Sequence, residues 1–318
     1  MTPMSSTSGP LPSLYVRAGS LSPEVAERLN DKLLPGFSSA VYEYFWGLVE
    51  KLNAVLLALP DANLPLTDRG EARLIVIELI KAIMHEIAAL SEYLGDALAI
   101  VLPAIGKRNK EASLAKAQMS SIVNPLFKAP INLIKHERFR LLWVELSTAS
   151  IVTAGYCLVG IVEPREEGSS VTRRLGPASR RRHTASGLDF AEGYSFAYVL
   201  REVLPTVYKL CDVTENALAT AKLFKVGDVG GTPHPAGSRA ILLNGVLASL
   251  AALSRYGFPN EKGIRLPQLV RHNQGVCVGT TFKLREFKHG FKVSSELGTN
   301  IKGEGAYLPY WPSGLYHD

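Results

Sequence analysis

DRGEARLIVIELIKAIMHEIAALSEYLGDALAIVL, residues 68–102, decides the fold. Asp68 can cap a helix, Glu71 stands three residues on in a capping-box arrangement, and Pro103 stops the run. The polar residues Glu71, Glu78, Lys81, His85, Glu92 and Asp96 recur at helical steps and make one narrow stripe. The rest of the circumference is apolar, carried by Ile75, Leu79, Ile83, Ile87, Leu90, Leu94 and Leu98. Only a helix surrounded by other helices needs so wide an apolar face, so the segment predicts the central helix of a bundle.

Its neighbours follow. Val41, Phe45, Leu48, Leu52, Val55 and Leu59 predict a helix over 38–59 that Pro60 stops. A helix is expected over 108–122, and another from Asn124-Pro125, kinked or restarted at Pro130 and ending near Glu137 or Arg138. The period then changes to two. Leu142, Val144 and Leu146 alternate with Leu141, Trp143 and Glu145, and 155–163 is a second apolar, β-branched run, so 140–163 predicts a β-hairpin attached to the helices. Residues 164–187, rich in Gly, Ser, Pro and Arg, read as a mobile basic loop. Asp189, with Glu192 in the box position, is expected to cap a helix running to Phe224 with a kink at Pro205, and Ser238 one that ends at Gly257. Residues 276–293 alternate like strands, with a tight turn at His289-Gly290.

The expected class is therefore mainly α: a helical bundle with an inserted β-hairpin and a small C-terminal β-containing segment. Residues 1–37 read as a flexible arm and entry segment, 38–257 as the bundle with hairpin and loop, and 258–318 as a basic, aromatic-rich β segment.

Bulk properties narrow the class. A chain of 318 residues with 47% hydrophobic and 20% charged residues can build a sizeable core and is not wholly disordered. Cys157, Cys211 and Cys277 form no CxxC pair, which fits small buried side chains in a reducing compartment. The opening MTPMSSTSGPLPS lacks a basic start and a long apolar run, so no signal peptide is read and a cytoplasmic protein is expected. The longest uncharged stretch, Leu146–Val162, is short and β-branched, so no membrane association is expected.

The net charge of +6 is local. Residues 165–183 hold six Arg against two Glu, and 261–302 hold eight Lys/Arg against three Glu, so the remainder is net negative. Such clustering suggests a polyanion partner, nucleic acid in particular. The candidate contacts are Arg180, Arg181 and Arg182 in the loop, and Lys283, Arg285, Lys288 and Lys292 in the segment Phe282–Lys292, where cations interleave with aromatics that could stack bases. The alternative is a structural or scaffold protein that self-assembles into a homo-oligomer, or binds a protein partner, through the basic loop and an aromatic tail carrying Tyr307, Tyr310, Trp311 and Tyr316.

Candidates for catalysis are few. His136 belongs to an N-x-x-K-H cluster with Asn132 and Lys135, but in a last helical turn it equally serves the helix end. His85 lies on the polar stripe of the central helix, without the second His of a zinc-protease motif. No P-loop, dinucleotide fingerprint or GxSxG elbow is present, and no metal or cofactor is expected.

The bundle, the cluster Asn132, Lys135, His136 with Arg138 and Arg140, and the following hairpin with Gly155-Tyr156 resemble HEPN-type helical proteins. The resemblance covers about 40–223 loosely and 132–161 by motif. It implies nucleic-acid or nucleotide binding, metal-independent RNA cleavage in some members, and often a setting in defence against phage. Catalytic members carry an Arg, four to six residues, then a His. Arg265 and His272 are the one match, and Pro267 lies between them, so a non-catalytic relative is expected, with a metal-independent HEPN-type ribonuclease as a further alternative.

Overall fold

The computed structural model describes residues 10–62, 69–102, 110–136, 139–147, 150–167, 170–177, 180–182, 189–191, 193–224, 237–261, 263–272, 275–285 and 292–295. For 61–62, 69, 160–191, 259, 272, 275 and 292–295 it describes the backbone alone. The fold is mainly helical with antiparallel β-structure. In chain order the described elements are α1 (Ser13–Arg17), α2 (Pro23–Asp31), α3 (Phe37–Ala62), α4 (Arg69–Val101), α5 (Lys110–Val123), a π turn (Asn124–Lys128), α6 (Ala129–His136), β1 (Arg140–Ser147), β2 (Val152–Glu167), β3 (Ser170–Pro177), β4 (Arg180–Arg182), β5 (Asp189–Ala191), β6 (Gly193–Ser195), α7 (Phe196–Thr220), α8 (Ser238–Ala252), β7 (Arg265–His272), β8 (Gly275–Lys283) and β9 (Lys292–Ser295).

The helix α4 is the hub. It packs against α2, α3, α5, α6, α7 and β1, and Ile80, Ile83, Ile87, Leu90, Leu94 and Leu98 are wholly inside. Its exposed residues include Glu71, Glu78, His85, Glu92 and Asp96, so most of the polar stripe faces solvent. Ion pairs tie that stripe down: Lys81 to Glu78, Lys116 of α5 to Asp96 and Lys128 of the π turn to Glu92. The helix α3 runs antiparallel beside it, as the contacts Phe37–Tyr93 and Lys51–Glu86 show.

The β1–β2 hairpin forms with Trp143 opposite Tyr156 and Val144 opposite Gly155. Its alternation marks two buried faces rather than one buried and one wet. Trp143 and Tyr156 pack on Phe196 of α7, while Leu142, Val144, Leu146, Cys157 and Val159 gather around Phe258. The far edge of β2 is shared between β6, opposite Gly155–Cys157, and β3, opposite Val159–Glu167, and β9 extends the other side of β1. Glu145, on the bundle face, would be a costly buried charge without Arg73 of α4, whose guanidinium donates to it at 2.8 Å and lies over the Trp143 ring.

Several local expectations are corrected. The basic loop expected over 164–187 contains strand: β2 continues to Glu167, β3 pairs with it, and Arg180–Arg182 pair with Asp189–Ala191. Val171, Thr172 and Leu175 suit a strand, and the waiting edge of β2 outweighs the polar composition. The flexible reading of 1–37 fails from Pro10 onward. Leu14 is fully buried, Ser13 and Arg17 both reach Glu215, and the Tyr208 hydroxyl donates to the Pro10 carbonyl. Asp189 lies in β5, and α7 is capped instead by Ser195, whose Oγ accepts from the Tyr198 N–H at 3.2 Å. Pro60 lies inside the end of α3, and α8 ends at Ala252, five residues before Gly257. Asp68, Glu192, His289-Gly290 and the aromatic tail lie outside the described residues.

Candidate polyanion-binding site

The hairpin β7–β8 is an independent two-stranded sheet whose register sets Arg265 opposite Lys283 and Leu266 opposite Phe282. Strand alternation sorts these side chains. Leu266 and Leu284 are buried with Ala197 of α7, and Phe282 packs against them half-buried. Arg265, Lys283 and Arg285 are exposed. The backbone then brings in one more cation. The Arg285 N–H donates to the Arg255 carbonyl at 2.8 Å, and the Gly257 N–H donates to the Arg285 carbonyl at 3.0 Å, so the turn after α8 runs beside the end of β8. Arg255 is exposed there, with its guanidinium 5.2 Å from the centre of the Phe282 ring.

Arg201 underlies the cluster. It is 3% exposed, and its guanidinium donates to the carbonyls of Ala197 at 2.9 Å, Leu253 at 2.7 Å and Ser254 at 3.0 Å. It thereby closes the C-terminal end of α8, where carbonyls lack helical partners. The same guanidinium lies 5.1 Å from the centre of the Phe282 ring. Burial, and then the neighbouring Arg255, lower its pKa to about 10, so it is charged at neutral pH. No described carboxylate pairs with Arg201, Arg255, Arg265, Lys283 or Arg285.

A buried carboxylate four residues before Arg265 is engaged elsewhere. Glu261, 1% exposed, accepts from the Ser195 N–H, the Ser195 hydroxyl and the Phe258 N–H, each at 2.7 Å. It pins the 258–261 turn to the N-terminus of α7. Burial raises its pKa to about 7, against the lowering effect of its three donors.

Of the residues singled out in the sequence, Lys283, Arg285 and Arg265 meet in this cluster. Arg265 and His272 stand at opposite ends of β7, about 23 Å apart at strand spacing, so the one Arg–His match in the sequence is not brought together. His136 is the last residue of α6 and is exposed, as are Asn132 and Lys135. His85 is exposed on α4, and slight burial followed by the charge of Lys135 lowers its pKa. Arg180, Arg181 and Arg182 form β4, and Lys292 of β9 stands opposite Ser147; Lys288 lies outside the described residues. Arg255 and Arg201 were missed. Neither belongs to a charge run, and only the long-range pairing of 255 with 285 brings Arg255 to the hairpin.

Other features offer less chemistry. A cavity of about 350 Å³ among α3, β2, α7 and α8 is lined by apolar groups such as Leu56, Leu59 and Phe196. The Thr153 hydroxyl at its edge is already engaged with the Tyr256 carbonyl and Ser254. Among the described residues no group of three or more His, Cys, Asp or Glu could hold a metal ion, and no helix is long and apolar enough to cross a membrane. Comparison of the chain with protein-family models, curated proteins and solved structures finds no match.

Proposed function

We propose that this is a binding protein without catalysis of its own, whose ligand is a polyanion and in the first place nucleic acid. The observation that carries the reading is the set of exposed cations Arg265, Lys283 and Arg285 on the hairpin and Arg255 on the turn that pairs with its end, without a described acidic partner. Like charges set directly opposite, as Arg265 and Lys283 are, destabilise a sheet, and an anion bound between them offsets that cost. The HEPN-type resemblance of residues 132–161 agrees with a nucleic-acid ligand and suggests phage defence as the setting. Burial pushes the Cys157 thiol up to about 12 and holds Cys211 well above its usual value, in keeping with inert thiols in the cytoplasm. The test is an electrophoretic mobility shift with a 20-nucleotide DNA at low salt. The native chain should retard the DNA, and the fourfold variant Arg255→Ala, Arg265→Ala, Lys283→Ala, Arg285→Ala should not. Equal retardation by both proteins would refute the assignment.

A second reading, self-assembly as a scaffold, rests on Leu57 of α3 and Ile241 of α8, 69% and 73% exposed on two helices that pack together. Sedimentation showing a single monomeric species across a wide concentration range would remove it.

A further inference from the structure

The segment 282–292 invites a model of nucleic-acid binding in which aromatic rings stack bases and the intervening cations meet phosphates. The surroundings of Phe282 point elsewhere. Its ring packs on the Leu266–Leu284–Ala197 cluster and carries the guanidiniums of Arg201 and Arg255, at 5.1 and 5.2 Å. A base stacking on this ring competes with these two guanidiniums and with the apolar cluster for its surface. Arg201 cannot leave cheaply, because it also holds three carbonyls, two of them just past the end of α8. Displacing Arg255 would remove from the site one of the charges that attract the ligand.

The two arginines have different duties. Arg201 is internal and fixes the ring from the side of α7. Arg255 is exposed, and the mutual repulsion of the two guanidiniums favours an anion on its solvent side. An aromatic face beneath an exposed guanidinium attracts it electrostatically and cuts the rotamer freedom it would lose on meeting a phosphate. The ring therefore acts on the ligand through Arg255.

Resting on the reading above, we infer that the site takes a run of phosphates without reading bases, and that Phe282 is a positioning residue that presents Arg255. The shared chemistry is a chain of phosphate groups, supplied either by a nucleic-acid backbone or by inorganic polyphosphate.

The experiment measures affinity of the full chain for two labelled probes of equal phosphate number, oligo-dT and inorganic polyphosphate, at several salt concentrations. Phe282→Leu keeps apolar bulk and loses the π face. It should weaken both probes by the same factor, about two- to fivefold, and Phe282→Tyr should restore both. Melting temperatures report whether Phe282→Leu is folded. Arg255→Gln, which leaves the ring in place, keeps the inference testable if it is not, and should weaken both probes equally. Loss of oligo-dT affinity alone in Phe282→Leu, or tighter oligo-dT binding in Arg255→Gln, would show base stacking and overturn the inference. So would unchanged affinity for both probes in Phe282→Leu. Native protein that binds neither probe would overturn the polyanion reading itself. The tighter of the two native affinities identifies the source of the phosphates.

Discussion

Glu261 shows how one side chain can set a pH dependence. Its folded-state pKa, raised to about 7 by burial, exceeds the ordinary carboxylate value of 4.5, so the folded chain favours the protonated form. The sign follows from linkage. The contribution is fully present below about pH 4.5 and is lost as pH rises through about 7, on the order of 3 kcal/mol in all. Denaturant melts of the native chain and of Glu261→Ala should therefore show a larger stability difference at pH 5 than at pH 8. A difference that grows with pH would mean that the three donors at 2.7 Å outweigh desolvation. Arg73 and Glu145 make the complementary case. Each is nearly buried, so removing either alone leaves an uncompensated charge and should cost about 3–5 kcal/mol. Replacing Arg73 by Met and Glu145 by Leu together should cost well under the sum of the two single losses, as read from a double-mutant cycle.

At the scale of elements, His136 ends α6, with Lys135 before it, where cations meet the free carbonyls of the last turn. His136→Ala should lower stability by about 0.5 kcal/mol and leave polyanion affinity unchanged. Lost affinity with an unchanged melting temperature would give it a direct part in binding. The elements also mark what the sequence makes legible. The helix α4 is plain because Glu71, Glu78, His85, Glu92 and Asp96 keep one solvent-facing line over 26 positions while most of the remaining surface is packed, although Leu74 and the expected core residue Ile75, near its start, are exposed. Strands β1 and β2 are legible because the period switches from helical to two at Arg140. Strand β3 was not, because Arg173, Arg174, Gly176 and Pro177 dilute its β-branched residues and its partner is the second half of a long β2, which local composition does not reveal. The cap of α7 was misplaced for a related reason. Asp189 and Glu192 have the right spacing, but β6 needs Gly193–Ser195 for pairing with β2, and the helix starts after it. Of the candidate site, Lys283, Arg285 and Arg265 were visible as local charge, whereas Arg201 and Arg255 join them only through tertiary structure.

At the scale of the whole molecule, the bundle and the C-terminal hairpin divide the labour. The described ion pairs, Arg17–Glu215, Lys51–Glu86, Arg73–Glu145, Lys81–Glu78, Lys116–Asp96, Lys128–Glu92 and Lys209–Glu202, all lie outside the C-terminal hairpin, and the exposed Arg255, Arg265, Lys283 and Arg285 have no acidic partner among the described residues. The turn is fastened to α7 twice, through Glu261 with Ser195 and through Arg201, so the cluster stands on a rigid base rather than on a loose appendage. Rigid placement lets a few charges act together on one ligand. The most direct measurement is the salt dependence of duplex-DNA affinity for the native chain and for the double variant Arg265→Ala, Lys283→Ala. Each cation that neutralises a phosphate adds about 0.9 to the slope of log affinity against log salt. The expected result is weaker binding by the double variant at low salt and a slope shallower by about two. Identical affinities and slopes for the two proteins would contradict a binding site at the β7–β8 hairpin.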